Sequence, residues 1–320
     1  MYPLKLSAPI RDYIWGGTRL INEFGFETEE DNIAEAWMLS CHKDGPAYVQ
    51  NGIYAGKTLA EAIEAEGKSV LGTNNTDKPD FPILIKLIDA KEKLSVQVHP
   101  GDEYARRVEN ENGKTEAWYI LDADPCAQLV YGVNRKITRK AFSESIRRKK
   151  VETVLNFVNV KSGDVVFIPS GMLHAIGAGI FLAEVQQSSN TTYRVYDYDR
   201  SGKDGKPREL HIEKATDVVD LTVPSADFAP QGEPVITECA EKTYLTGCNY
   251  FEMYSLNVNG AYKDNASDAS FVSLLVLSGE GELRCGKQKL PLAKGSSVFI
   301  PAGKGTYTVE GTLKILETRT

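Results

Sequence analysis

At 320 residues the chain is long enough for two domains or one large two-lobed unit, at roughly 150 residues per domain. Its net charge of −7 argues against a general nucleic-acid surface but leaves an anionic substrate possible, because local charge inside a pocket decides that. No run approaches the ~18 apolar residues of a membrane span, and the start Met1–Ser7 lacks the apolar core of a signal peptide.

The five cysteines, Cys41, Cys126, Cys239, Cys248 and Cys285, are scattered without a CxxC pair, so neither a disulfide framework nor a cysteine zinc site is indicated. The expectation is a reduced, cytoplasmic protein. Most of the chain then reads as short strands separated by Gly, Pro, Asn and Asp turns. Thr58-Leu-Ala-Glu61 is a capping box whose helix should stop near Gly67. Phe81–Ile88 reads as a strand with Lys86 alone in an apolar run. That lysine must face solvent, a cavity or a partner, or else guard a sheet edge.

Leu94-Ser-Val-Gln-Val-His-Pro100 is the most informative stretch. Strand alternation puts Val96 and Val98 on one face and Gln97 and His99 on the other, and Pro100 ends the run. An amide oxygen and an imidazole two residues apart can reach one ion; the plainer reading is the wet face of a half-buried strand. A strand follows over Ala117–Leu121, with Glu116 at its start and Lys114 two residues earlier. Further on, Arg139–Asn156 reads as a helix with Phe142, Ile146 and Leu155 on its apolar stripe and a solvated basic face. Strand Asp164–Ile168 leads to His174, and alternation in Asn190–Asp197 groups Thr192, Arg194 and Tyr196. Tyr198–Pro207 is a polar, Gly-rich loop, while His42 and His211 have no comparable neighbours and read as ordinary. Loop-like composition around Pro224–Pro234 marks a domain boundary, dividing the chain into 1–228 and 229–320, with strands at Phe271–Leu277 and Ser297–Ile300 in the second part.

Gly163-Asp-Val-Val-Phe-Ile-Pro-Ser-Gly171 recurs as Gly295-Ser-Ser-Val-Phe-Ile-Pro-Ala-Gly303. Strand, glycine turn, strand, proline turn, strand is the rhythm of a double-sheet jelly roll, so the fold expected is mainly β with two such barrels. The second copy also serves as a control. Thr306 stands in register with His174, and Val272 stands where the first copy has Glu116. Residues required by the scaffold would appear in both copies; these do not. Gln97, His99, Glu116 and His174 therefore form a candidate set of two nitrogens and two oxygens. Such a set suits zinc, and also iron, manganese, cobalt or nickel, better than magnesium or calcium. Lys86, Lys114 and Arg194 nearby fit a phosphorylated or otherwise anionic substrate. The absence of GxGxxG, P-loop and GxSxG motifs makes nucleotide chemistry and serine hydrolysis poor readings.

Tyr13-Ile-Trp-Gly-Gly17, Ala34-Glu-Ala-Trp37, Leu94–Pro100, Lys114-Thr-Glu116, Gly171-Met-Leu-His174 and Ser188–Arg194 stand in an order that resembles the type I mannose-6-phosphate isomerases, two-cupin zinc enzymes, in their short bacterial form. The resemblance implies one Zn2+ held by Gln97, His99, Glu116 and His174. It makes Arg194 the active-site arginine and Lys114 and Lys86 catalytic-site lysines, sets Ser95 near the substrate phosphate, and puts Lys86, Trp15 and Asn190 against the substrate. It further implies a monomer or weak homo-oligomer that interconverts mannose 6-phosphate and fructose 6-phosphate through a cis-enediol. Lys86 or Lys114, beside a metal ion and Arg194, should have its pKa pushed down and so serve as base, with a metal-bound hydroxide as the rival. Asn190 stands where longer members have an aspartate, and their lysine after the arginine has no counterpart in Val195–Asp199. The competing readings are a sugar-phosphate-sensing cupin without catalysis and a different metal cupin isomerase or oxygenase.

Overall fold

The computed structural model describes residues 1–202, 205–225 and 227–320. The chain is mainly β, and its described strands form a six-stranded, a five-stranded and a nine-stranded sheet rather than closed barrels. A six-stranded sheet runs in the order Val165–Ile168, Glu116–Ala123, Ile180–Gln187, Ile83–Ala90, Glu35–Leu39, Ile10–Arg11. Facing it is a five-stranded sheet of Tyr193–Tyr196, Val96–Val98, His174–Ile176, Gln128–Val133 and Leu155–Asn159. Ile88, Trp118, Ile120 and Leu182 from the first sheet pack with Leu129, Tyr131 and Ile176 from the second.

The central strands of the six-stranded sheet are buried along their whole length because both faces are covered. Ile83, Ile85, Leu87, Ala183 and Val185 pack the other way, onto Phe271, Leu275, Phe299 and Leu316 of the C-terminal part. That part is a nine-stranded sheet built on three long strands, Glu252–Ala266, Val272–Cys285 and Gly305–Arg319, which curl around an apolar core of their own. Leu4–Ser7 also belongs to this sheet, pairing with Ser297–Ile300 on one side and Tyr48–Val49 on the other. Among the described residues no helix is long and apolar enough to cross a membrane.

The repeat appears directly in the pairing. Ile168 lies opposite Glu116 in the first copy, and Ile300 lies opposite Val272 in the second. Val272 and Ile300 are fully buried among aliphatic neighbours, so the second jelly roll fills with hydrocarbon the position where the first keeps a carboxylate.

The helix Leu59–Glu66 forms with its capping box, Thr58 Oγ1 accepting from the Glu61 amide and Gly67 ending it at φ 86°. The basic helix is shorter than its apolar stripe suggests, spanning Arg139–Arg147 rather than 139–156. Four consecutive cations, Arg147 to Lys150, repel one another at its end, and Lys149 turns the chain at φ 55°. A 3-10 turn at Val151–Val154 follows, and Leu155–Asn159 pairs as a strand with Gln128–Val133. Leu155 still joins Phe142 and Ile146 in one core, but by a turn rather than a helical face. Of the polar loop 198–207, residues 203 and 204 lie outside the described residues, as does 226 in the boundary loop.

Candidate metal centre and adjoining cavity

Two rows of side chains meet between the facing sheets. In the five-stranded sheet Arg194 lies opposite Gln97, and Gln97 opposite His174. Directly opposed residues share a face, so these three point one way, with His99 two residues beyond Gln97. In the six-stranded sheet Trp37, Lys86, Glu184 and Trp118 form one row. Gln186 and Glu116 belong to the next row on the same face. Both rows point inward, so polar groups occupy what is elsewhere the hydrophobic centre of the roll.

His99, Glu116 and His174 converge with their ligand atoms within 4.8 Å of one another, all three buried. His99 Nδ1 donates to the Thr191 carbonyl at 2.9 Å, and His174 Nδ1 to the Met172 carbonyl at 2.8 Å. A carbonyl cannot donate, so both rings carry their proton on Nδ1 and present the Nε2 lone pair inward. The two Nε2 atoms are 3.2 Å apart, and His174 Nε2 is 3.2 Å from Glu116 Oε1. Neither Glu116 oxygen receives a well-directed hydrogen bond, although Lys114 Nζ lies 2.8 Å from Oε2 as an ion pair.

Lone pairs and a carboxylate aimed at one point repel unless a cation stands among them. Lys114 Nζ is also 3.0 Å from His99 Nε2, so an ammonium partly answers that demand here. Burial, reinforced by Glu184, pushes the Glu116 carboxyl above its ordinary range. Burial lowers both imidazoles, His174 to about 4 and His99 well below its usual value, so both are neutral and able to ligate. The donor chemistry fits a divalent transition metal, with Gln97 on the same face as His174 to complete the set.

Beside the centre is a cavity of about 340 Å3 whose walls include Gln97, Lys114, Lys86, Ser95, Arg194, Trp15 and Asn190. Each of the substrate-side residues expected from the sequence thus faces it. Trp15 is buried against Tyr13. Ser95 Oγ lies 3.3 Å from Arg194 Nε, and Asn190 Nδ2 donates to Asp44 at 2.9 Å. Thr192 joins Arg194 in the wall, but Tyr196 does not: a bulge after Arg194 shifts the register, and Tyr196 reaches Glu152 instead.

Lys86 is no edge guard, since its strand is central. Its Nζ lies 3.5 Å from Glu35 and 3.4 Å from Glu184, and it sits over the Trp37 ring at 5.0 Å. The indole Nε1 groups of Trp37 and Trp118 hold those two carboxylates at 2.7 and 2.8 Å. Burial alone would lower the Lys86 pKa, but Glu35, Glu184 and Glu116 outweigh it and hold it above the ordinary lysine value. The expected depression is therefore reversed at Lys86. The two acids responsible arrive by sheet pairing. Glu184 stands in Ile180-Phe-Leu-Ala-Glu184-Val as exposed to notice as Lys86 was, a charge inside an apolar strand. His211, read as ordinary, also lines the cavity, and so does Arg208, which nothing local distinguishes. His42 lies 3.8 Å from Glu111 and 3.6 Å from Asp44, in the wall of a separate cavity.

Comparison with known proteins agrees along the whole chain. Residues 3–125 match the model of the phosphomannose isomerase type I catalytic domain, and residues 240–319 that of the mannose-6-phosphate isomerase cupin domain. The chain is 40% identical over 313 residues to the mannose-6-phosphate isomerase ManA of Bacillus subtilis, covering 97% of this chain and 96% of that one. It is 37% identical to the mannose-6-phosphate isomerase of Streptococcus mutans, over 98% and 97% of the two chains. A crystal structure of the mannose 6-phosphate isomerase from Bacillus subtilis superposes with a TM-score of 0.91 at 36% identity, covering 99% of each chain.

Proposed function

The chain belongs to the type I mannose-6-phosphate isomerases, and from that premise we propose how its residues carry the reaction. It is a metal-dependent isomerase that interconverts D-mannose 6-phosphate and D-fructose 6-phosphate through a cis-enediol. The two sugars differ only in which of C1 and C2 bears the carbonyl, so a proton must leave C2 and return at C1. In this proposal Gln97, His99, Glu116 and His174 hold one Zn2+ per chain. When bound there, the ion acts as a Lewis acid toward the substrate's carbonyl and hydroxyl oxygens.

The chain's own groups do the remainder. The Arg194 guanidinium, with no carboxylate of the described residues in ion-pair range, is available to offset the negative charge that grows on the enediolate oxygens. Lys86, kept charged by Glu35 and Glu184, is fitted to act as a fixed cation that donates hydrogen bonds to the substrate without losing its proton. Lys114, the other lysine in the cavity wall, is the one left to receive the C2 proton and return it, and to do so it would first have to shed the proton of the ammonium that pairs with Glu116. Trp15 and the buried floor exclude water from the intermediate. Residues 1–228 form the catalytic part and 229–320 the supporting part of a cytoplasmic enzyme, monomeric or weakly associated.

The observation that carries this reading is the convergence of two imidazole lone pairs and an undirected carboxylate beneath a cavity lined by cations. The test is a coupled fructose 6-phosphate assay with mannose 6-phosphate as substrate, repeated after chelation and after zinc is restored. Glucose 6-phosphate serves as counter-substrate. Activity that survives chelation, or a preference for glucose 6-phosphate, overturns it. Replacing Arg194 by Ala should lower kcat far more than it lowers metal content.

A further inference from the structure

The cavity wall has a second cationic group, away from the metal centre, on the segment that runs back beside Arg194. Arg194 Nη1 donates to the Glu209 carbonyl at 3.0 Å, and the His211 amide donates to the Arg194 carbonyl at 2.8 Å. The Arg194 amide donates to His211 Nδ1 at 3.1 Å, so this ring carries its proton on Nε2 and offers a neutral donor. Arg208 lies between these contacts and Asp197. Its Nε and Nη2 donate to Asp197 Oδ2 and Oδ1 at 2.7 and 2.6 Å, a two-pronged grip that fixes the plane of the guanidinium. Its Nη1 makes no hydrogen bond to a described residue and remains to serve the cavity.

The charges do not cancel. Asp197 is 5% exposed and also binds Arg200 at 2.7 Å, so one carboxylate serves two guanidiniums. That leaves one net positive charge beside the neutral N–H of His211. Glu209 is exposed, where water and salt weaken its pull. A net positive charge with a free guanidinium N–H suits a phosphate monoester, which carries about −1.5 to −2 at neutral pH. The turn after Asp197 sets Tyr198 and Asp199 both at positive φ, 57° and 55°, without a glycine. Such backbone persists only where its surroundings hold it; Lys93 Nζ lies 3.6 Å from the centre of the Tyr198 ring.

We infer that Arg208, aimed by Asp197, is the residue that makes the site require a phosphorylated sugar, gripping the 6-phosphate while C1 and C2 lie toward Gln97, Lys114 and Arg194. The inference rests on the isomerase reading and adds a residue to it. In an open-chain sugar phosphate the reacting carbons and the phosphate are at opposite ends, so a cavity with cations at both ends orients the substrate in one sense only.

The test is steady-state kinetics on the zinc-loaded enzyme with mannose 6-phosphate, and with inorganic phosphate as competitive inhibitor. Arg208→Ala should raise KM and weaken phosphate inhibition together, each by about tenfold to a hundredfold, with kcat and metal content nearly unchanged. Arg208→Lys should recover part of both, because it restores a point charge without the fork. Asp197→Asn, which keeps Arg208 but loosens its aim, should fall between wild type and Arg208→Ala. A fall in kcat without a rise in KM, or a raised KM with unaltered phosphate inhibition, overturns the inference. Should Arg208→Ala fail to fold, the Lys and Asn variants decide it by the same two readouts. Failure of the wild type to turn over mannose 6-phosphate would instead strike the isomerase reading, and phosphate binding by calorimetry would still test Arg208.

Discussion

Replacing Lys86 by Met keeps the length and much of the volume of the side chain while deleting its charge. The side chains of Lys86, Glu184 and Glu35 are 6%, 4% and 11% exposed, so their interactions are little screened by water. Removing one member of a buried ion cluster costs about 3–5 kcal/mol, because the partners are left charged and unpaired. Two acids pair with this lysine; once the ammonium is gone Glu35 keeps its indole donor, and Glu184 keeps its own together with the attraction of Lys114. The loss should therefore fall in the upper part of that range at pH 8. It should shrink on acidification: burial disfavours the charged Glu184 carboxyl and Lys86 opposes that, so once Lys86 is gone the cost is present at high pH and relieved as that group takes up a proton. Urea denaturation of wild type and variant at pH 8 and pH 5.5, at equal zinc loading, reads both effects. Adding Glu184→Gln to the variant should recover at least about 1.5 kcal/mol, since the second change removes a charge that the first had stranded. A loss below about 1 kcal/mol, or strict additivity of the two substitutions, would refute the account of Lys86 as a buried, doubly paired cation.

Replacing His174 by Ala should remove bound metal and turnover together, measured by elemental analysis and the coupled assay; a metal-poor, fully active variant would sink the proposed centre. Because burial holds Glu116 protonated to higher pH than an ordinary carboxyl while both histidines are already neutral, zinc binding should release about one proton near pH 6 and almost none by about pH 8.5. Calorimetry in buffers of different ionisation enthalpy measures this, and release that is flat with pH contradicts it. Tyr250 of the C-terminal part donates to Asp102 at 2.8 Å, and Asp102 accepts from the Gly113 amide, the residue before Lys114. Tyr250→Phe should lower kcat several-fold with KM and metal content little changed, at a stability cost of about 1 kcal/mol; unchanged kcat would mean that this chain of contacts does not reach Lys114.

Much of the site could be read from the linear chain because its parts obey short-range rules. Gln97 and His99 stand out through the two-residue period of a strand, and Val96 and Val98 do face the core. Glu116 and His174 stand out because the second copy lacks them, a comparison contained within one sequence. Long-range pairing carries what could not be read. Nothing near Lys86 in the chain announces that Glu35 and Glu184 will flank it, so the direction of its pKa shift was read in reverse. Arg208 and His211 reach the cavity only because their segment doubles back along Tyr193–Tyr196, and composition marks such a segment as no more than a loop. The helix at Arg139 was overextended for a related reason: Leu155 does belong with Phe142 and Ile146, and periodicity cannot separate a continuous stripe from one resumed after a turn.

The strand Leu4–Ser7 finds its partner almost three hundred residues later, at Ser297–Ile300. Tyr48–Val49 can pair with one of its edges early, but the other edge must wait until Ser297–Ile300 has been made, and closing so long a loop is among the slower steps available to a folding chain. A catalytic portion released early would carry an open edge and an uncovered apolar face, the conditions under which sheets aggregate. The pairing also ties the opposite ends of the polypeptide into one sheet, so neither part can loosen without disturbing the other. The second roll then serves as a fastening: it secures the outer face of the sheet whose inner face carries Lys86, Glu116 and Glu184.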